Sequence, residues 1–142
     1  LAVLVLGIET SSRHGSVALV ENGQLLAEAS NDAPNTHGER LLQLVDELFL
    51  RAGKSKSELN RVAVGRGPGA FTGLRIGLAV AQGIAVGLGA TAVGIGSLEA
   101  MALGLPPSFP GLRFAVLDAR RQELFLAGYR DNGSCVVPPL TL

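Results

Sequence analysis

Gly65-Arg66-Gly67-Pro68-Gly69-Ala70 lies between two apolar runs, where a chain that binds phosphate often turns from strand to helix. It matches G-x-G-x-x-A, but a dinucleotide site also needs an acid about twenty residues on for the ribose hydroxyls. The next acid is Glu99, beyond a complete helix and strand. A Walker loop needs Lys-Ser/Thr after its last glycine, and here Gly73 is followed by Leu74-Arg75. Both nucleotide fingerprints fail. Pro68-Gly69 still suits a tight turn, and free N–H groups at the start of the following helix suit an anion. Two readings of Gly67 and Gly69 stay open, close backbone packing and anion contact. Thr10, Ser11 and Ser12, in the polar turn after the first apolar run, are the other candidates for nucleotide or anion contact.

No catalytic residue and no metal ligand set emerges. His37 precedes a helical segment, but a zinc-binding H-x-x-x-H pair needs a second histidine at the position of Leu41. His14 falls in a different loop, and Cys135 stands alone near the end, so no disulfide or thiolate cluster forms within the chain. Ser11 and Ser12 have no histidine base with a neighbouring acid, so a serine hydrolase is unsupported.

The elements that must position these residues follow from periodicity. Ala2–Ile8 is a continuous apolar run, as in a strand buried on both faces. Ser16–Val20 and Leu25–Ser30 flank Asn22-Gly23, a strong hairpin signal. Thr36-His37-Gly38-Glu39 has capping-box spacing, and Leu41, Leu44, Val45, Leu48 and Ala52 recur at helical spacing up to Gly53. Strand 61–65, a helix from about Thr72 to Gly87, strand 92–95 and a short helix capped by Ser97 complete the pattern β-β-β-α-β-α-β-α. That α/β order resembles a ribonuclease-H-like lobe of the actin, sugar-kinase and chaperone ATPase group. Residues 1–105 form that lobe. Residues 106–142 then read as a linker, Pro106 to Gly111, and the first hairpin of a truncated or degenerate second lobe, with Asp118-Ala119-Arg120 as a salt-bridged turn. The actin-like group carries a phosphate-contacting loop after its first strand, commonly with an aspartate. Glu9 is longer, and no opposing acid is at hand, which argues against an actin-like phosphotransferase.

The second helix is apolar nearly all round. Gly73, Gly77, Ala81 and Ala85 form a small-residue stripe at i, i+4 spacing, and only Thr72, Arg75 and Gln82 are polar. Ile76–Leu98 contains no charge, yet Gly87, Gly89, Gly94 and Gly96 would each weaken one long spanning helix, so helix followed by strand is the reading. A helix this apolar predicts burial on more than one side. Together with the wide stripe on the first helix, that implies a helix-to-helix interface with another chain. Net charge is zero with 47% hydrophobic and 17% charged residues, which excludes a disordered chain and a strong nucleic-acid grip by this chain alone. The chain begins at Leu1 rather than Met, which implies a trimmed N-terminus.

VLGIETSSRHGSVALVENGQ, HGERLL, GRGPGAFTGLRIGLAVAQGIA, IGSLEAMA and AVLDARRQELFLAGY occur in an order that resembles the TsaB (YeaZ) family. The resemblance implies an actin-like fold and a non-catalytic relative of the glycoprotease-like TsaD, whose paired-histidine motif is reduced here to His37. It implies a cytoplasmic bacterial scaffold that joins TsaD and the ATPase TsaE. That assembly transfers threonylcarbamoyl to the anticodon-adjacent adenosine of tRNA, and the scaffold pairs with itself when TsaD is absent. No cofactor is required by the chain itself, with ATP or ADP expected only in the assembled complex, and tRNA is met only through the complex, with no membrane. The partner surface implied draws on Leu41, Leu44, Val45, Leu48, Gly73, Leu74, Gly77, Leu78, Ala81 and Ala85. A glycoprotease-type metallopeptidase is the alternative, and the absent second histidine counts against it.

Overall fold

The computed structural model describes residues 1–31 and 37–142. β1 (Leu4–Glu9), β2 (Gly15–Glu21) and β3 (Gln24–Asn31) form an antiparallel meander. Asn22 and Gly23 take φ of 51° and 81°, the left-handed pair that a two-residue hairpin turn requires. α1 (His37–Ala52) leads through a single 3-10 turn (Lys56–Glu58) to β4 (Leu59–Gly65), which lies parallel to β1. α2 (Phe71–Leu88) returns the chain to β5 (Thr91–Ile95), parallel to β4. The sheet order is β3-β2-β1-β4-β5, the arrangement expected of a ribonuclease-H-like lobe.

Both long helices stop where left-handed glycines allow. Gly53 (φ 63°) follows α1, and Lys54 N–H reaches back to Phe49 O at 3.1 Å. Gly89 (φ 67°) follows α2, and Ala90 N–H bonds Ala85 O at 2.9 Å. Thr36, the expected cap of α1, and the side chain of His37 lie outside the described residues.

One face of the sheet carries the core. Leu4, Leu6 and Ile8 alternate toward it, joined by Val17, Leu19, Val62 and Val64, and both helices cover them. Each fully buried leucine contributes about 2 kcal/mol through area removed from water. α2 alone among the described helices is long and apolar enough to cross a membrane. It joins two neighbouring strands of one sheet, paired from Arg61 opposite Thr91 to Gly65 opposite Ile95, so both its ends serve the same sheet and it packs as a crossover.

α3 (Ser97–Leu103) starts a second region, followed by β6 (Leu112–Arg120), β7 (Glu123–Arg130) and β8 (Cys135–Thr141) in one antiparallel sheet. Sequence periodicity anticipates only the first two of these strands. Pro138 and Pro139 mask β8 because proline cannot donate to a ladder. As an edge strand β8 pairs on one side only, with β7, and register shifts accompany that pairing. Ser97 does not cap α3. The N-cap is Gly96, and the Ser97 hydroxyl is used elsewhere.

Arg113 ties α3 and the linker to β6. It is 6% exposed, and its hydrogen bonds among the described residues all go to backbone carbonyls. It donates to Ala102 and Leu105 near the end of α3, and to Pro106 and Phe109 in the linker, at 3.1–3.4 Å. These acceptors include carbonyls that a helix end leaves without intrahelical partners. The planar five-donor fork is what allows one side chain to satisfy several at once.

Candidate functional site

The turn after β1, the glycine loop and the starts of α2 and α3 meet at one point. Thr10 is fully buried and its hydroxyl donates to Gly73 O at 2.7 Å. A Cβ on Gly77 would overlap the same hydroxyl, so the small-residue stripe of α2 is the seat for Thr10. Ser11 O accepts the N–H of Ala70 at 2.7 Å, and a Cβ on Gly69 would collide with Ser11. Gly67, at φ 95°, donates its N–H to Ser97 Oγ at 3.1 Å and accepts from Ser97 N–H at 2.9 Å. The loop thus ties β1, α2 and α3 together through close backbone approach.

This geometry divides the five candidate anion contacts. Thr10 and Gly67 have their hydrogen-bonding groups committed within the fold, and Gly69 is pressed on Ser11, so these three serve packing. Ser11 and Ser12 line a cleft of about 640 Å³, between the β1–β2 turn, the start of α2 and the β6–β7 turn, although the Ser12 hydroxyl donates to His14 O at 3.1 Å. α2 has no side-chain cap at Ala70, so the N–H groups of its first turn face this end uncapped. Ser11 is 6% exposed, and its hydroxyl makes no hydrogen bond among the described residues. Arg13 and Arg120 line the two sides.

The β6–β7 turn is built from three successive left-handed residues, Arg120, Arg121 and Gln122, at φ 65°, 54° and 64°. Among the described residues no ion pair holds it, contrary to the sequence expectation. The Asp118 carboxylate instead accepts the backbone N–H of Arg120 at 2.7 Å. A short acidic side chain can bond a backbone group two residues on, and that local bond competes with a longer reach to a guanidinium.

The residues expected to face a partner need a correction. Leu41, Leu44, Val45 and Leu48 of α1 are at most 4% exposed, and they pack on the sheet. Gly73, Gly77, Ala81 and Ala85 are buried likewise, and Leu74 and Leu78 are half-buried. Helical periodicity identifies the most apolar stripe, and the chain's own sheet takes it first. The apolar side chains that point outward are different ones. Leu42 and Leu50 on α1 are 50% and 83% exposed, and Val86 on α2 is 85% exposed.

Sequence reasoning missed Phe71, the first residue of α2. It is 72% exposed beside the cleft, with the Arg75 guanidinium 5.2 Å from its ring centroid. The i, i+4 spacing of Phe71 and Arg75 was the available signal. Among the described residues, no three His, Cys, Asp or Glu side chains are grouped as a metal would require.

Among the described residues two ionisable groups are displaced. Lys54 is raised, chiefly by its hydrogen bond to Glu21 at 2.6 Å, with burial opposing. Tyr129 is raised by burial first, with Cys135 and Glu99 adding negative potential and Arg66 opposing. Neither lies at the cleft.

Known proteins resemble the chain in both sequence and fold. A sequence model described as TsaD, tRNA N6-adenosine threonylcarbamoyltransferase, matches residues 11–138. The tRNA threonylcarbamoyladenosine biosynthesis protein TsaB of Escherichia coli is 37% identical over 132 residues, covering 91% of this chain and 57% of that protein. The chain therefore spans a little over half the length of this curated relative. Among solved structures, YeaZ from Pseudomonas aeruginosa superposes with a TM-score of 0.86 at 31% identity, covering 99% of this chain and 66% of that one. The ethanolamine utilization protein EutJ from Carboxydothermus hydrogenoformans, at 18% identity and a TM-score of 0.53, covers 96% of this chain and half of its own, and shares the actin-like fold.

Proposed function

Because the chain belongs to the TsaB (YeaZ) branch of the TsaD-related family, whose members serve tRNA threonylcarbamoyladenosine biosynthesis, we propose that it is a non-catalytic scaffold subunit. In this reading it binds a TsaD-like catalytic subunit and supports transfer of threonylcarbamoyl to the anticodon-adjacent adenosine of tRNA. A TsaE-like ATPase completes the assembly, the chain pairs with itself when the catalytic subunit is absent, and the setting is the cytoplasm. The chain needs no cofactor of its own, and ATP or ADP belongs to the assembled complex. Residues 1–105 act as the lobe that docks, and residues 106–142 as a linker and the start of a second lobe.

One observation carries the docking surface. α1 and α2 have already satisfied their sheet with Leu41, Leu44, Val45, Leu48, Ala81 and Ala85, yet Leu42, Leu50 and Val86 still project into solvent. Large apolar side chains left outward on two touching helices suit a helix-to-helix contact. The buried stripe supports that contact indirectly, by fixing the helices that present the outer residues.

The test is sedimentation of the full-length chain with and without its TsaD-like partner. Leu42→Glu combined with Val86→Glu is expected to abolish heteromer and homodimer alike while the thermal midpoint stays within a few degrees of the parent. Unchanged assembly of the double variant overturns the surface. In reconstituted tRNA modification with TsaD-like and TsaE-like subunits, omission of the chain is expected to stop the reaction. Modification at full rate without it overturns the scaffold role.

A further inference from the structure

Among the described residues the two sheets have four edge strands, β3 and β5 on the first and β6 and β8 on the second. An edge strand presents unpaired N–H and C=O groups, and proteins blunt it with charge, proline, bulges or a cover. Three of these edges are blunted. On β3 the Arg51 guanidinium donates to the carbonyl of Glu28 at 2.7 Å, and the strand carries that glutamate as well. β8 holds Pro138-Pro139. β6 carries Arg113, Asp118 and Arg120, with a register shift between Asp118 and Arg120.

β5 has none of these devices. Thr91-Ala92-Val93-Gly94-Ile95 contains no charge and no proline, and it pairs with β4 without a register shift. Thr91 to Gly94 are all exposed. The Ile95 carbonyl accepts the N–H of Arg66 at 2.9 Å, so Ile95, and with it Val93 and Thr91, turn their backbone groups toward β4. Alternate residues of a strand aim these groups to opposite sides. The N–H and C=O groups of Ala92 and Gly94 therefore point out from the edge, without partners among the described residues. Beside them lies one cation. The Arg66 stem covers Gly94, with Cδ 3.1 Å from the place a Cβ would take. Arg66 is exposed and makes no ion pair among the described residues, with Glu99 or any other acid.

We propose that β5 is the docking edge for an extended acidic segment of a partner protein, which joins the first sheet as an added strand. Ala92 and Gly94 give it two donors and two acceptors, and a carboxylate placed next to Gly94 pairs with Arg66. Val93, 37% exposed on the face of Ala63, meets an aliphatic side chain of the same segment. A second copy fits this edge less well. Two paired β5 strands would bring two Arg66 side chains together with no carboxylate on either strand. The edge uses neither Leu42, Leu50 nor Val86, so the inference goes beyond the scaffold reading and stands or falls apart from it.

The experiment is an amide NMR titration of the full-length chain with acetyl-Thr-Val-Glu-Val-Thr-amide. The controls are the same peptide N-methylated at every residue and a version with lysine in place of glutamate. Signals of Ala92 and Gly94 are expected to shift and their amides to gain protection from exchange, while β3 stays unchanged. Ala92→Pro removes an outward donor without touching the β4 pairing, and it should weaken binding about fivefold. Arg66→Glu should weaken the acidic peptide about threefold and strengthen the lysine peptide by a similar factor. Such a reversal of charge preference cannot come from loss of folding. The proposal is overturned by the absence of shifts in β5 at millimolar peptide, by equal binding of the methylated peptide, or by an unchanged charge preference in Arg66→Glu. Shifts of Ala92 and Gly94 that grow with protein concentration alone assign the edge to a second copy and overturn it too. Sedimentation with the TsaD-like partner reads the α1–α2 surface separately, so failure at β5 with intact assembly leaves the scaffold reading in place.

Discussion

The two sheets of this molecule are stabilised in different ways. The five-stranded sheet has two long helices on one face, and its core is built of Leu, Ile, Val and Phe side chains from α1 and three strands, β1, β2 and β4. The three-stranded sheet has only the seven-residue α3, and its buried cluster is Leu98, Ala102, Ala115, Ala127 and Tyr129. Much of its other face stays exposed, at Leu112, Phe114 and Val116. The first region holds itself together by apolar burial. The second depends more on polar bonds, the Arg113 fork that holds α3 and the linker to β6 and the mutual bonds of Gly67 with Ser97 that tether it to the first. A small apolar cluster gains little from burial, so directional bonds carry more of its order.

Three substitutions or titrations probe that contrast. The largest effect is expected in the first region from Gly77→Val. The added Cβ overlaps the fully buried Thr10, and neither the strand end nor the helix backbone can withdraw cheaply. A loss of about 3 kcal/mol is expected in urea unfolding. A midpoint equal to the parent's would show that α2 is not seated on Thr10.

Arg113→Met should cost less, about 2 kcal/mol, by leaving buried carbonyls unsatisfied. Its mark is where the loss falls. Hydrogen exchange should rise across 97–130 while β1 and β4 stay protected, and Arg113→Lys should not restore protection because an ammonium cannot span the same acceptors. Uniform loss over both sheets would mean that the two regions form one cooperative unit.

The smallest effect is alkaline. Tyr129 has its folded-state value raised above 10.0 by burial, so the folded chain holds the phenol proton more tightly than the unfolded chain does. Stability is therefore full below about pH 10 and falls as pH rises through the folded value. Lys54, raised from 10.5 by Glu21, acts with the same sign in the first region. Tyr129→Phe should flatten only the part of the alkaline slope that reports on the second sheet. An unaltered slope would assign alkaline loss to Lys54 and other groups.

Local chemistry made much of the first region legible. Asn22-Gly23 marks its hairpin, Gly53 and Gly89 mark the helix ends, and the periodicity of α1 and α2 is plain from Leu and Ala spacing. The second region was legible only in part, because Pro138-Pro139 hides an edge strand whose existence depends on β7 being beside it. At the site, glycine density announced a close approach without saying to what. Thr10 and Ser97, the residues approached, are more than 25 positions away from Gly67 or Gly73 in sequence.

Residue type and spacing alone determined the order of elements, the turn positions, the failure of both nucleotide fingerprints and the resemblance to a family. Each depends on interactions within a few residues or on an ordered set of motifs. The tertiary structure decided which way each face points. A stripe of Leu41, Leu44, Val45 and Leu48 is equally fit for a sheet or a partner, because the hydrophobic effect is non-directional. Only the packed fold showed that the sheet had taken it, leaving Leu42, Leu50 and Val86 outside, and that distant Arg13, Ser11, Phe71 and Arg120 share one cleft.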